Sequence, residues 1–245
     1  MHDVGRLAEV IGNLRRMTEN HLGHPIEGVV VASPNFPALC NNDVEEAIRH
    51  AGLNPLSPSG HPYQPHEIAT AYARHGFGLC KNNHSIEACN AEEDRLPFQQ
   101  TLAVSHTSTA FLATLHTMKT AFITRDLLEG QHVGDYELGS DSHLKQDWNA
   151  YWKRVQLHIE ALIVKDSARK PIHRVLLLGE SGLDPNLLEA LDHVISQHQD
   201  SMPEVYGEDP LYDAAQGAAL FAMRAQEDQA FLTSEGRKET SEFEL

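Results

Sequence analysis

Buried-strand patterns alternating with amphipathic helices predict an α/β fold, a mixed sheet flanked by helices. Three stretches carry that expectation. Residues 28–32 (GVVVA) are a short β-branched run set between two helical patterns. Residues 101–104 and 111–115 are apolar runs joined by the polar turn Ser105, His106, Thr107, Ser108, Thr109. Residues 173–178 (HRVLLL) have the near-continuous apolar character of a parallel strand and run into the loop GESGLDP.

The elements follow in order. Val4, Leu7, Ala8, Ile11 and Leu14 recur at helical spacing, giving an amphipathic helix over 3–22 that Gly23 stops. The strand at 28–32 comes next. Asp43 is placed to cap the helix DVEEAIRHA, with Glu46 three residues on as in a capping box, and Gly52 ends it. SPSGHPYQP is a loop, and Pro65 opens a helix through His75. Residues 76–97 read as an irregular polar surface insertion. Strands are expected at 101–105, 110–117 and 120–125, with a fourth near 132–138. A long helix over 141–164 carries Trp148, Trp152 and Val155 on one face, a core or dimer contact rather than a cofactor box. The strand 173–178 is followed by helices at 185–198 and 210–226. Residues 231–245 read as an acidic, disordered tail. The whole is a single domain over 1–230, its first lobe about 3–75 and its second 98–227.

Charge and composition narrow the function. The chain has 245 residues, 41% of them hydrophobic, enough for a sizeable core. Its 19 basic and 35 acidic residues give a net charge of −16, which disfavours nucleic acid and anionic membranes as partners. No signal-peptide pattern opens the sequence and no apolar run approaches a membrane span, so the expected location is cytoplasmic. Cys40, Cys80 and Cys89 make an odd set, and in a cytoplasmic chain no disulfide framework is expected.

Taken in order, five pieces resemble the ATPase domain of the seventy-kilodalton heat-shock chaperones, in the actin-like ATPase superfamily. These are LGHPIEGVVVASPNFPALCNNDVEEAIRHAGLNPL, PHEIATAYA, TLAVSHTSTAFLATLH, HRVLLLGESGLDP and DPLYDAAQGAALFAMRAQE. The resemblance spans about residues 3–227 and implies a partial actin-like (ribonuclease-H-like) fold around a nucleotide cleft. It also implies what has been lost. The family's first phosphate loop would lie upstream of residue 1, and its small helical subdomain is absent between 164 and 173. In the second phosphate loop the family's Asp falls on Ser105 and its glycines on Thr107, Ser108 and Thr109, while a further Glu falls on Gln64. Lost carboxylates remove the ligands of Mg²⁺ and the orienter of the attacking water, so ATP hydrolysis is not expected. No peptide-binding domain follows Leu245, which argues against ordinary chaperone action. Degenerate relatives of this domain are numerous in filamentous fungi, so the resemblance implies a fungal, secondary-metabolite setting.

The candidate site follows from that comparison. Ser105, His106 and Thr109 are the catalytic candidates: His106 as a proton shuttle if it faces the cleft, the hydroxyls as hydrogen-bond donors. Gln64, Thr107, Ser108, Gly179, Glu180 and Ser181 are the ligand-binding candidates. The competing readings are a loop whose hydroxyls satisfy its own backbone, and a tight strand-to-helix turn at Gly179 and Gly182. Strand alternation places Ser105 and His106 on opposite faces. His75, Cys80, His84 and Cys89 have spacings compatible with zinc, yet without a Cys-x-x-Cys pair no metal and no cofactor is expected. Two functions remain: a cofactor-free cyclase or isomerase acting by shape and hydrogen bonding on a small molecule, or a pseudo-ATPase that binds a partner. Either could be a homodimer.

Overall fold

The structure, a computed structural model, describes all residues except 1, 35–38, 58–62, 82–84, 123–131, 166–169 and 243–245. It divides into two compact units, one of residues 1–66 with 218–245 and the other of residues 67–217.

The first unit is built on α1 (His2–Leu22) and α2 (Asn41–His50). Ile11 packs with Val44, Ala47, Ile48 and Leu53, flanked by Val4, Leu7 and Ala8, as the helical spacing predicts, but Leu14, expected on the same stripe, lies outside this cluster and is exposed. Arg15 ties α1 to the end of α2 by donating to the carbonyls of Ala51 and Gly52, each at 3.0 Å. Asp43 is not the cap. The helix starts two residues earlier, Cys40 is the N-cap, and the Asp43 carboxylate reaches back to the Cys40 N–H at 3.2 Å. A carboxylate at the third helical position serves the same orphan donor, so the chemistry was legible and the frame was not. β1 (Gly28–Val29) pairs in parallel with β2 (Asn54–Pro55), a partner strand the sequence did not suggest. The GVVVA run ends its ladder early because Val31 N–H donates instead to Gln64 Oε1, at 2.8 Å.

The second unit holds α3 (Glu67–Arg74), α4 (Ile86–Glu93) and a five-stranded mixed sheet. β3 (Gln99–His106), β4 (Phe111–Met118), β5 (His132–Asp135), β6 (Ile172–Leu178) and β7 (Glu204–Tyr206) run in the order β5-β4-β3-β6-β7. β3 is antiparallel to β4 and parallel to β6, so the strands predicted from the three apolar runs sit side by side at the centre. One face, with Leu102, Val104, Phe111, Ala113, Val175 and Leu177, is covered by α5 (Trp148–Lys165) and α6 (Pro185–Ser196). α7 (Asp213–Glu242) closes the chain. At Gly217 an added Cβ would lie 1.8 Å from the Thr70 carbonyl, so the start of α7 rests backbone to backbone on α3.

Several expectations are corrected. The segment 76–97 is no irregular insertion: Cys80 is buried, α4 is capped by Ser85, and a Cys80–Cys89 disulfide joins them. The expected helix over 141–164 is a 3₁₀ turn (Ser140–Lys145) followed by α5, because the Asp147 carboxylate caps the Ala150 N–H at 2.9 Å and starts a new helix. Trp152 and Val155 are buried with Tyr151, Ile159 and Leu162, while Trp148 stays 46% exposed at the rim. Residues 119–122 are bends, and the rest of the strand expected at 120–125 lies outside the described residues. Helix α7 continues to Glu242 through the expected tail, where Ala, Gln, Glu, Arg and Lys are strong helix formers. Among the described residues no helix is long and apolar enough to cross a membrane.

Candidate functional site

The hairpin between β3 and β4 is the turn that the sequence singles out, and its backbone donors can be accounted for one by one. Thr107 N–H donates to the Ala110 carbonyl at 2.9 Å. Ala110 N–H and Thr109 N–H both point at Thr107 Oγ1, at 3.0 and 3.4 Å. Ser108 N–H, the remaining one, donates to Glu180 Oε1 at 2.7 Å. Every N–H from 107 to 110 therefore has an acceptor inside the protein. A phosphate loop works by leaving such donors free for an anion; here one carbonyl, one hydroxyl and one carboxylate hold them.

Glu180 comes from the turn after β6, and that turn is built to deliver it. Gly179 has φ +84°, and a Cβ there would lie 2.5 Å from the His106 carbonyl oxygen. Only glycine adopts that conformation at that distance without strain. Ser181 N–H donates to the same His106 carbonyl at 3.0 Å, and Ser181 Oγ donates to Ser140 Oγ at 2.9 Å. Ser140 N–H donates to the Thr107 carbonyl at 2.8 Å, completing a clamp on the hairpin. The hydrogen bond from Ser108 holds the Glu180 carboxyl below its ordinary value of 4.5. An ionised carboxylate at the mouth of the turn also repels any incoming phosphate.

Ser105 and His106 lie on opposite faces of the sheet, as alternation requires. The His106 ring is turned into the helix-covered core, 1% exposed, edge-on to Phe111 and Trp152. Its Nε2 is 3.0 Å from the Tyr151 hydroxyl, which donates to the Leu138 carbonyl at 2.8 Å. The hydroxyl proton is thus committed to Leu138, so the ring is assigned its N–H on Nε2. Burial pushes the His106 pKa down, and burial pushes the Tyr151 hydroxyl up to about 12. Among the described residues, one cavity of about 1000 Å³ runs along α1 and α2 and another of about 300 Å³ lies between α5 and α6. Neither is lined by Ser105, His106 or Thr109.

The neutral, buried His106 has a pH consequence. Its folded pKa lies below 6.5, so the unfolded chain binds the extra proton. The His106 contribution is fully present above pH 6.5 and is lost as pH falls below it toward the folded value. Urea unfolding at about pH 7.5 and about pH 5.5 is expected to show a loss on acidification that His106→Gln makes shallower. An unchanged slope would contradict this placement of the ring.

Gln64 is buried in the first unit, where its side chain accepts from Val31 N–H and donates to the Leu56 carbonyl at 3.0 Å. It serves there as a loop tie. Of the zinc candidates, His75 instead faces Asp213, its Nε2 3.0 Å from the buried carboxylate, and His84 lies outside the described residues. Cys80 and Cys89 are joined, so the expectation of no disulfide is overturned. The group that sequence reasoning missed is Glu67, the first residue of α3. Its surface is partly open, yet burial pushes its carboxyl up to about 7, where it can both give and take a proton. It lies three residues after Gln64, the position aligned with the family's Glu, which was the available signal.

This mixed sheet, the clamped hairpin and the flanking helices define a protein of the actin-like ATPase fold. Among solved structures, the ethanolamine utilization protein EutJ from Carboxydothermus hydrogenoformans matches with a TM-score of 0.51 over 89% of this chain and 75% of that one, at 13% identity. At that identity the likeness is one of fold alone. No family model and no curated protein matches the sequence.

Proposed function

We propose that this chain is a non-hydrolysing member of the actin-like ATPase fold that works by holding a protein partner. The observation that carries the reading is the occupied hairpin: no backbone N–H from 107 to 110 is left for a phosphate. The missing carboxylates at Ser105 and Gln64 support it, since neither replacement can ligate Mg²⁺ as an anion would. A partner surface is supported by α1. Val10, Leu14 and Met17 form one stripe of that helix, 54%, 58% and 69% exposed, apart from the stripe that packs on α2. The occupant we favour is another protein, a second copy of this chain included. Incubation of the purified chain with Mg-ATP is expected to release no inorganic phosphate above the buffer blank; steady release would sink the reading.

A catalytic second reading, the cofactor-free cyclase or isomerase, draws support from Glu67 and its near-neutral carboxyl. In that reading a thermal-shift screen of small metabolites finds a stabilising ligand whose effect Glu67→Gln removes. A screen without hits, or hits indifferent to Glu67→Gln, would remove it.

A further inference from the structure

The disulfide has a second set of neighbours. Cys80 is brought by the segment after α3, whereas Cys89 and Glu93 stand one turn apart on α4. Cys80 Sγ, Cys89 Sγ and a Glu93 carboxylate oxygen all lie within 4.8 Å of one another. The Cys89 Sγ to Glu93 Oε1 distance is 3.7 Å. Two thiolates and a carboxylate converging from two segments are the donor set of a borderline-soft divalent cation, with water able to take a fourth tetrahedral position. Two contacts besides the sulfur–sulfur bond hold the scaffold around them. Ser85 caps α4 by accepting Ala88 N–H at 3.3 Å, and Lys81 N–H donates to Glu92 Oε2 at 3.0 Å, tying the loop to the helix. Cys80 is 2% exposed, so one ligand is already buried, while Cys89 and Glu93 are partly exposed and give an ion its entry.

We propose that the reduced chain binds one zinc ion through Cys80, Cys89 and Glu93, and that the disulfide is the metal-free state of the same site. The chemistry balances with an external dithiol as reductant. Its two electrons and two protons break the Cys80–Cys89 bond and leave two thiols, while the dithiol itself becomes a disulfide. Zinc then displaces both thiol protons as two Zn–S bonds form. About 2.3 Å per Zn–S bond at a tetrahedral angle needs the sulfurs ~3.8 Å apart, a separation reached by side-chain rotation once the bond is open. Bound zinc removes the thiolates from oxidation, so metal and disulfide exclude each other.

The test uses the full chain in both redox states, with zinc competed against a chromophoric chelator and cobalt as a spectroscopic substitute. The reduced chain is expected to take up one equivalent, with a thiolate-to-cobalt charge-transfer band, and to bind more than about 100-fold tighter than the oxidised chain. Cys89→Ser is expected to abolish that difference, and Glu93→Gln to weaken binding by about tenfold or more. Equal binding in the two redox states would overturn the proposal. So would a Cys89→Ser chain that binds like wild type, which would assign the metal to some of the 16 histidines. Oxidised and reduced wild type differ by no substitution, so a variant that fails to fold leaves the comparison intact.

Discussion

Gly179→Ala is expected to destabilise the second unit by about 2–4 kcal/mol. The residue sits at φ +84°, where an alanine costs roughly 1–2 kcal/mol. Its Cβ would also meet the His106 carbonyl oxygen at 2.5 Å and the carbonyl carbon at 2.9 Å. That carbonyl cannot withdraw freely, because it lies at the end of β3 and accepts Ser181 N–H at 3.0 Å. Relief by moving the turn would break this bond, for about 1 kcal/mol more, and carry Glu180 away from Ser108. Urea unfolding checks the loss, and an amide shift at Ser108 checks the displacement. An alanine variant within about 0.5 kcal/mol of wild type would show that the turn does not press on β3 as described.

Phe111→Ala is expected to have the larger effect, about 3–5 kcal/mol. Phe111 is fully buried at the start of β4, in the cluster that joins the sheet to α5 and α6. Its ring stacks on His158 at 6.4 Å and meets His106 edge-on at 6.2 Å. Truncation opens a void between three packed elements, where little collapse is available. It also strips the neutral imidazole of His106 of one of its two aromatic walls, leaving Trp152, so the variant's midpoint should depend more weakly on acid. A loss under about 1 kcal/mol would mean the hairpin end is not part of the core.

The central strands were legible because they are buried on both faces. A run such as VLLL at 175–178, apolar at every position and buried throughout, has few other places to go. β7 was not legible, since Glu204, Val205 and Tyr206 form a short edge with Val205 53% exposed, and nothing in three such residues distinguishes strand from loop. Replacement of glycines by Thr107, Ser108 and Thr109 is what singled out the hairpin in the sequence. What filled it was hidden, because Glu180 arrives from 72 residues away through a turn whose direction depends on Gly179. The disulfide was missed for a different reason. An odd cysteine count in a chain read as cytoplasmic argued against pairing, and nothing in the spacing of Cys80 and Cys89 showed that the segment after α3 meets α4.

The closed hairpin is tested most directly by calorimetric titration of the purified chain with ATP and with ADP, each with and without Mg²⁺. No saturable heat is expected at nucleotide concentrations up to about 1 mM, beyond which weak binding would be too loose to matter. Micromolar, Mg²⁺-dependent binding would mean that the Ser108 and Thr109 N–H groups leave Glu180 and Thr107 for a phosphate, and the occupied-loop account would be wrong.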